Sequence, residues 1–313
     1  MILYQKLLFA LGLVAFLIGS ETQVQAQQDP QYSQYMFNPL AYNPAYAGSR
    51  DALSANVLLR RQWMGIADGP STGTISIHTP SPNERHGFGL NYIFDQLGVT
   101  TQNFLNLAYA YRLPLGPGFL SLGLQGGLTS YRLNYAQINP RDPDPSKPDV
   151  ALSALLPRAG TGIYFQSERF FAGLSVPNLI GGRYFRGNSN VTDDVAAAQE
   201  IHYFATIGGI LPLGSSVQFR PSAIVKYVAD SPLQVDLNTT FFFKETIGVG
   251  VGYRTADALI FMLEYRSKRL FRAGYAYDLS LSPIRAVNSG SHELMLGVDL
   301  NWGRSKFLSP RYF

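Results

Sequence analysis

Four histidines, His78, His86, His202 and His292, are the chain's most versatile acid–base and metal-ligating groups. None stands in a His-x-x-x-His or Cys/His spacing, and the sequence has no cysteine. That pattern argues against a metal centre. A Ser–His hydrolase needs a nucleophile lifted on a strained strand-to-helix elbow, and no stretch reads as one, so the chain is read as a non-enzyme without a cofactor. Asp142, Asp144 and Asp149 crowd into Arg141–Asp149, where prolines favour an extended chain and the glycine turn of a calcium loop is missing. This is read as a solvated external loop. Gly248, Gly250 and Gly252 recur every second residue, which puts them on one face of a strand and not around a phosphate. Arg220, Lys226, Arg254, Glu264 and Arg266 are read as inward-facing charges that pair or stay hydrated, with pore selectivity as a lesser role.

The elements that carry these residues alternate with period two. Leu294, Leu296, Val298, Leu300 and Trp302 share one face, while Glu293, Met295, Gly297, Asp299 and Asn301 share the other. The same division separates Leu105, Leu107, Tyr109, Tyr111 and Leu113 from Asn106, Ala108, Ala110 and Arg112, and Ile247, Val249, Val251 and Tyr253 from the three glycines and Arg254. A soluble sandwich also alternates. The large apolar positions, often closing on an aromatic, and the mixture of Gly, Ala and charge opposite them favour a transmembrane barrel. Segments begin near residues 50, 71, 86, 103, 118, 158, 169, 201, 216, 233, 246, 258, 269 and 292, which predicts an all-β, antiparallel barrel of about fourteen strands. Long connections at 132–157, 177–200 and 279–291 fall on one side and tight turns such as Pro114–Pro117 and Lys244–Glu245 on the other, the asymmetry of outer-membrane barrels.

Composition agrees. Only 15% of the 313 residues are charged, 46% are hydrophobic and mean hydropathy is zero to two decimals, which fits neither a helical membrane protein nor a disordered chain. A net charge of +4 is too small for a nucleic-acid face. Lys6, the apolar stretch Leu7–Ile18 and Val24-Gln25-Ala26 read as a signal peptide over 1–26, cut before Gln27. After it the longest apolar run is Ala258–Leu263, too short for a spanning helix. The expected organisation is therefore a signal peptide (1–26), an N-terminal plug or docking segment (27–49), a barrel (50–303) and a tail (304–313).

The N-terminal segment stands apart. Tyr32, Tyr35, Phe37, Tyr42 and Tyr46 are too many aromatics for a free linker, and Pro30, Pro39 and Pro44 forbid a long helix or central strand. Asn38-Pro39 and Asn43-Pro44 repeat a turn-initiating pair five residues apart, so successive turns can present aromatics to the lumen or to a periplasmic partner.

In Asp29–Met36 and Asn43–Gly48 the sequence resembles the PorP/SprF family of outer-membrane proteins of the type IX secretion system. The resemblance continues through Arg61-Gln62-Trp63-Met64-Gly65, Gly69-Pro70, Gly252-Tyr253-Arg254, Gly274–Asp278 and Ser291–Leu294. It implies a multi-pass protein of the bacterial outer membrane, embedded in lipid. The implied work is support of export or surface display of proteins with type IX C-terminal signals, such as gliding adhesins. The implied partners are that cargo and the periplasmic ring of lipoprotein and partner subunits. On this basis Tyr32, Ser33, Gln34, Tyr35, Phe37, Asn38, Asn43, Pro44 and Tyr46, together with Arg61, Gln62 and Trp63, are the expected partner-binding or plug residues, and 132–157 and 177–200 the expected cargo loops. A solute-selective outer-membrane channel is the alternative.

Overall fold

The computed structural model describes residues 30–134, 151–185, 195–267 and 270–300. Fourteen antiparallel strands form a closed barrel: β1 (Leu53–Arg61), β2 (Ser71–Pro80), β3 (His86–Leu97), β4 (Thr100–Leu115), β5 (Gly118–Asn134), β6 (Ala151–Ser167), β7 (Phe170–Val176), β10 (His202–Gly209), β12 (Val217–Val228), β13 (Gln234–Phe243), β14 (Ile247–Arg254), β15 (Ala258–Arg266), β16 (Phe271–Ser280) and β17 (Ser291–Leu300). Closure comes from pairing of the first strand with the last, Leu53 opposite Leu300 through Arg61 opposite His292. Among the described residues, β8 (Gly182–Phe185) and β9 (Val195–Gln199) make a separate hairpin in the connection after β7, and β11 (Leu211–Pro212) is a two-residue extension beside β12.

The period-two pattern is realised as a two-faced wall. Outward positions carry Leu59, Ile75, Leu107, Leu124, Val249 and Leu263, all exposed as lipid-facing residues are, while their neighbours Arg60, Thr74, Asn106, Gln125, Gly250 and Met262 turn inward. The ladder takes the place of water as the partner of strand N–H and C=O groups, which the bilayer interior requires. Arg220, Lys226, Arg254, Glu264 and Arg266 are all inward and buried, as their alternation predicts.

Strand positions depart from the sequence reading mainly at β6. It begins at Ala151 instead of near residue 158, because the adjacent pair Leu155-Leu156 and Pro157 break the alternation while cross-strand pairing with β5 runs unbroken from Asn134 opposite Ala151 to Gly118 opposite Ser167. The expected 132–157 loop thus contracts to 135–150. That stretch, with Asp142, Asp144 and Asp149, lies outside the described residues, as do the expected signal peptide and tail. The barrel's first strand starts at Leu53, so Arg50–Ala52 belong with the segment before it.

Connections alternate between two mouths. One mouth carries 62–70, 98–99, 135–150, 177–201, 229–233, 255–257 and 281–290; the other carries 81–85, 116–117, 168–169, 210–216, 244–246 and 267–270. The long ones gather at the first mouth. Short periplasmic turns and long outer loops are the rule for such barrels, so the first mouth is the outer one.

Candidate functional site

Residues 30–50 lie within the ring of strands. Proline at 39 and 44 prevents a continuous helix, and the chain instead makes three 3-10 turns, Tyr35–Phe37, Pro39–Ala41 and Pro44–Tyr46, the last two opening on their prolines. Asn43 caps the third turn, its side chain accepting from the Ala45 N–H at 3.0 Å. Tyr32, Ser33, Gln34, Tyr35, Phe37, Asn38, Asn43, Pro44 and Tyr46 are all buried.

Near the outer mouth the wall supplies charge. The N–H groups of Ser33 and Gln34 donate to the two oxygens of Glu293, at 2.8 and 2.7 Å. The Ser33 hydroxyl donates to Asp278 at 2.6 Å and accepts from Arg60 Nη1 at 2.8 Å, while Asn238 Nδ2 donates to the Ser33 carbonyl at 3.2 Å. Arg60 in turn binds Asp278 at 2.7 Å and Glu293 at 3.0 Å, and Arg254 reaches Asp236 at 3.0 Å and the Tyr32 carbonyl at 3.3 Å. Lys226 completes the layer on Asp236 at 3.1 Å. Three cations and three carboxylates share one buried network, with the peptide groups of Tyr32–Gln34 at its centre. Bare burial of such charges would be costly, and it is tolerated here because each carboxylate has several donors.

Midway, packing takes over. Tyr32, Tyr35, Phe37 and Tyr42 meet the inward apolar residues Leu58, Phe204, Ile224, Ile260, Met262 and Met295 in one cluster. Tyr32 and Tyr42 are edge to face at 5.8 Å between ring centres, and the Tyr35 hydroxyl hydrogen-bonds Ser222 at 3.0 Å. Burial pushes the Tyr35 and Tyr42 phenols above their ordinary range. A cavity of about 20 Å³ is left beside Tyr32, Tyr42, Ile93, Phe104 and Arg158, room for about one water.

Toward the short-turn mouth the fit is made by missing side chains. A Cβ on Gly123 of β5 would meet the backbone of Pro44-Ala45, one on Gly162 of β6 the Asn43 amide, and one on Gly87 of β3 the carbonyl of Ala47. Into this notched wall Tyr46 sets its ring edge to face on Tyr164 at 5.4 Å and against His78 at 5.2 Å, and His78 Nδ1 accepts from the Gly48 N–H at 3.2 Å. Below it Arg50 pairs with Asp299 at 3.2 Å and Asp51 with Arg112 at 3.0 Å.

Arg61, Gln62 and Trp63 are not part of this seat. They leave the outer end of β1, with Arg61 exposed, and the connection they open is hydrogen-bonded to the 281–290 connection through Met64–Gly290 and Ser289–Met64. Contrary to the expectation that no elbow string occurs, Gly69-Pro70-Ser71-Thr72-Gly73 has the Gly-x-Ser-x-Gly spacing, but Ser71 opens a strand opposite Arg61 and Gln96 and no helix follows it among the described residues.

The wall residues that hold the segment, Arg60, Asp278, Glu293, His78 and Gly123, escape a reading of the N-terminal motif alone. Glu293 stands in the Ser291–Leu294 string, but its place opposite Arg60 arises only when the last strand closes on the first.

Among solved structures the fold is similar to a Pseudomonas aeruginosa FadL homologue (11% identity, 88% of this chain and 95% of that one, TM-score 0.48). It is also similar to CdiB from Acinetobacter baumannii (9%, 79% of this chain and 60% of that one, TM-score 0.45) and to the outer membrane protein Omp33 of Acinetobacter baumannii (8%, 80% and 99%, TM-score 0.42). No curated protein matches the sequence. The model of the type IX secretion system membrane protein PorP/SprF matches residues 24–298, nearly the whole span from the N-terminal segment to the closing strand, and the chain belongs to that family.

Proposed function

We propose that this multi-pass outer-membrane barrel serves type IX secretion at its two mouths and not through its lumen. It is a non-enzymatic component that supports export or surface attachment of proteins bearing type IX C-terminal signals, gliding adhesins among them. It does so by binding cargo, the periplasmic ring of lipoprotein and partner subunits, or both. The observation that carries the reading is the burial of residues 30–50 across the lumen, with Ser33 and Gln34 fixed by Glu293 and Ala45 set against Gly123. Such a segment acts as a plug and leaves the short turns and the long connections as working surfaces. Arg61, Gln62 and Trp63 then belong to the outer surface with 281–290.

Planar-bilayer recordings of the purified chain, paired with surface display of a type IX cargo in cells, test this. The expected result is no steady current from the intact chain and opening events after removal of residues 29–48, with display lost in cells carrying the truncated form. Steady current from the intact chain that is indifferent to the truncation favours a solute channel and overturns the plug. A Tyr35→Ala, Tyr46→Ala variant that inserts normally and still gives full display removes the segment from the binding role.

A further inference from the structure

The direction in which the buried segment crosses the lumen has a topological consequence. Its C-terminal end is tied to the short-turn mouth: Gly48 lies against Pro80 and Gly87, which flank the 81–85 turn, and the chain passes from there into β1 at Leu53. Its N-terminal end is at the opposite mouth. Gln31 hydrogen-bonds Gln234 at 3.1 Å, the first residue of β13 after the 229–233 connection, and Ser33 is held by Glu293, the third residue of β17 after the 281–290 connection. The contacts between follow the same course, Tyr35 to Ser222 in mid-β12 and then Asn43 to the Ile163 carbonyl on the lower half of β6.

We infer that the segment threads the barrel from the periplasmic to the outer mouth and delivers the N-terminus of the mature chain to the cell-surface face. If the signal peptide is cut after Ala26, three residues precede Pro30, and three residues reach at most about 10 Å, so the new terminus stays at the outer mouth beside the Gln31–Gln234 contact. The free end and the charged latch on Ser33 and Gln34 are then together on the side where exported protein emerges. The covalent tether is on the other side. The segment can leave the lumen toward the periplasm only once the outer latch on Ser33 and Gln34 has let go. This rests on the outer placing of the long connections.

The absence of cysteine makes the test direct. Single variants Gln28→Cys, Val287→Cys in the 281–290 connection and Ser215→Cys in the 210–216 turn are exposed, in intact cells and after outer-membrane permeabilisation, to a polyethylene-glycol maleimide too large to cross that membrane. Gln28→Cys and Val287→Cys are expected to react in intact cells, and Ser215→Cys only after permeabilisation. Reaction of Val287→Cys with intact cells while Gln28→Cys reacts only after permeabilisation, or not at all, overturns the inference and leaves the barrel's orientation standing. Reaction of Ser215→Cys in place of Val287→Cys in intact cells overturns the orientation and the inference together.

Discussion

The outer and inner halves of the lumen hold one peptide segment by different balances of charge and steric fit. At the outer mouth the wall offers charge, and the segment answers with backbone N–H and C=O groups and one serine hydroxyl around Glu293, Asp278, Arg60 and Arg254. At the short-turn mouth the wall offers glycine notches to the Pro44-Ala45 backbone and the Tyr164 and His78 rings to Tyr46, with the pairs Arg50–Asp299 and Asp51–Arg112 below them. Charge fixes register, because a one-residue slip would take the Ser33 and Gln34 N–H groups from Glu293 and the Ser33 hydroxyl from Asp278. Steric fit fixes depth, because backbone can approach β5 so closely only where Gly123 stands. Buried ion networks contribute little net stability over apolar packing but make departure costly, so the outer half suits a latch and the inner half a seat.

The largest expected effect breaks the latch. Glu293→Ala leaves the Ser33 and Gln34 N–H groups without their acceptor and Arg60 with Asp278 as its one carboxylate, beside the Ser33 hydroxyl. Removing one member of a buried ionic network costs about 3–5 kcal/mol. Urea unfolding of the folded barrel in lipid vesicles should show a loss of that order, together with new protease sensitivity at residues 30–38. Glu293→Gln keeps an acceptor without the charge and should fall between. Wild-type stability and protection in Glu293→Ala would mean that the inner seat alone retains the segment.

How far this division is legible in the sequence differs between the halves as well. Alternation alone places Glu293, Arg254, Lys226 and Arg220 on the lumen side, and the Asn-Pro pairs mark where the 3-10 turns at Pro39 and Pro44 begin. The aromatic excess of Tyr32–Tyr46 announces a buried segment. What periodicity cannot supply is partnership: Arg60 meets Glu293 across 233 residues, and that register exists only because β1 closes on β17. Nor does it separate lumen glycines that admit a backbone from others. Gly123 and Gly127 share the lumen face of one strand, and a Cβ on the first would meet the segment while one on the second would meet Leu105 and Asn106 of the neighbouring strand. Inward apolar residues such as Leu58, Ile224 and Phe242 also run against a polar-lumen expectation, since they face the segment or wall cations in place of water.

Gly123, with the outward-facing Gly126 of the same strand as its control, gives the next effect in size. Gly123→Ala puts a methyl into the space held by the Pro44-Ala45 backbone, and overpacking of this kind costs about 1–3 kcal/mol. Gly126→Ala, with nothing within 4 Å of its new Cβ, should leave the unfolding midpoint unchanged. The comparison sharpens if Gly123→Ala raises protease sensitivity at residues 43–50 while residues 30–38 stay protected. Loss of both together would mean that latch and seat behave as one unit.

The smallest effect lies between the halves, in the two buried phenols. Tyr35 hydrogen-bonds Ser222 at 3.0 Å, so Tyr35→Phe should cost about 1 kcal/mol. The Tyr42 hydroxyl has no protein partner among the described residues, so Tyr42→Phe should cost less than Tyr35→Phe. Burial raises both phenols above the ordinary value of 10.0 in the folded chain, while in the unfolded chain they ionise near it. Below pH 10 both states keep the proton and the stability is intact. As pH climbs past that value the unfolded state gains by releasing protons that the folded state retains, and stability falls. The unfolding midpoint should therefore decline with rising alkalinity in the wild type and decline less in Tyr35→Phe, Tyr42→Phe. An identical slope in the two chains would mean that the phenols are reached by water at high pH, and that the packed middle of the segment opens before either end.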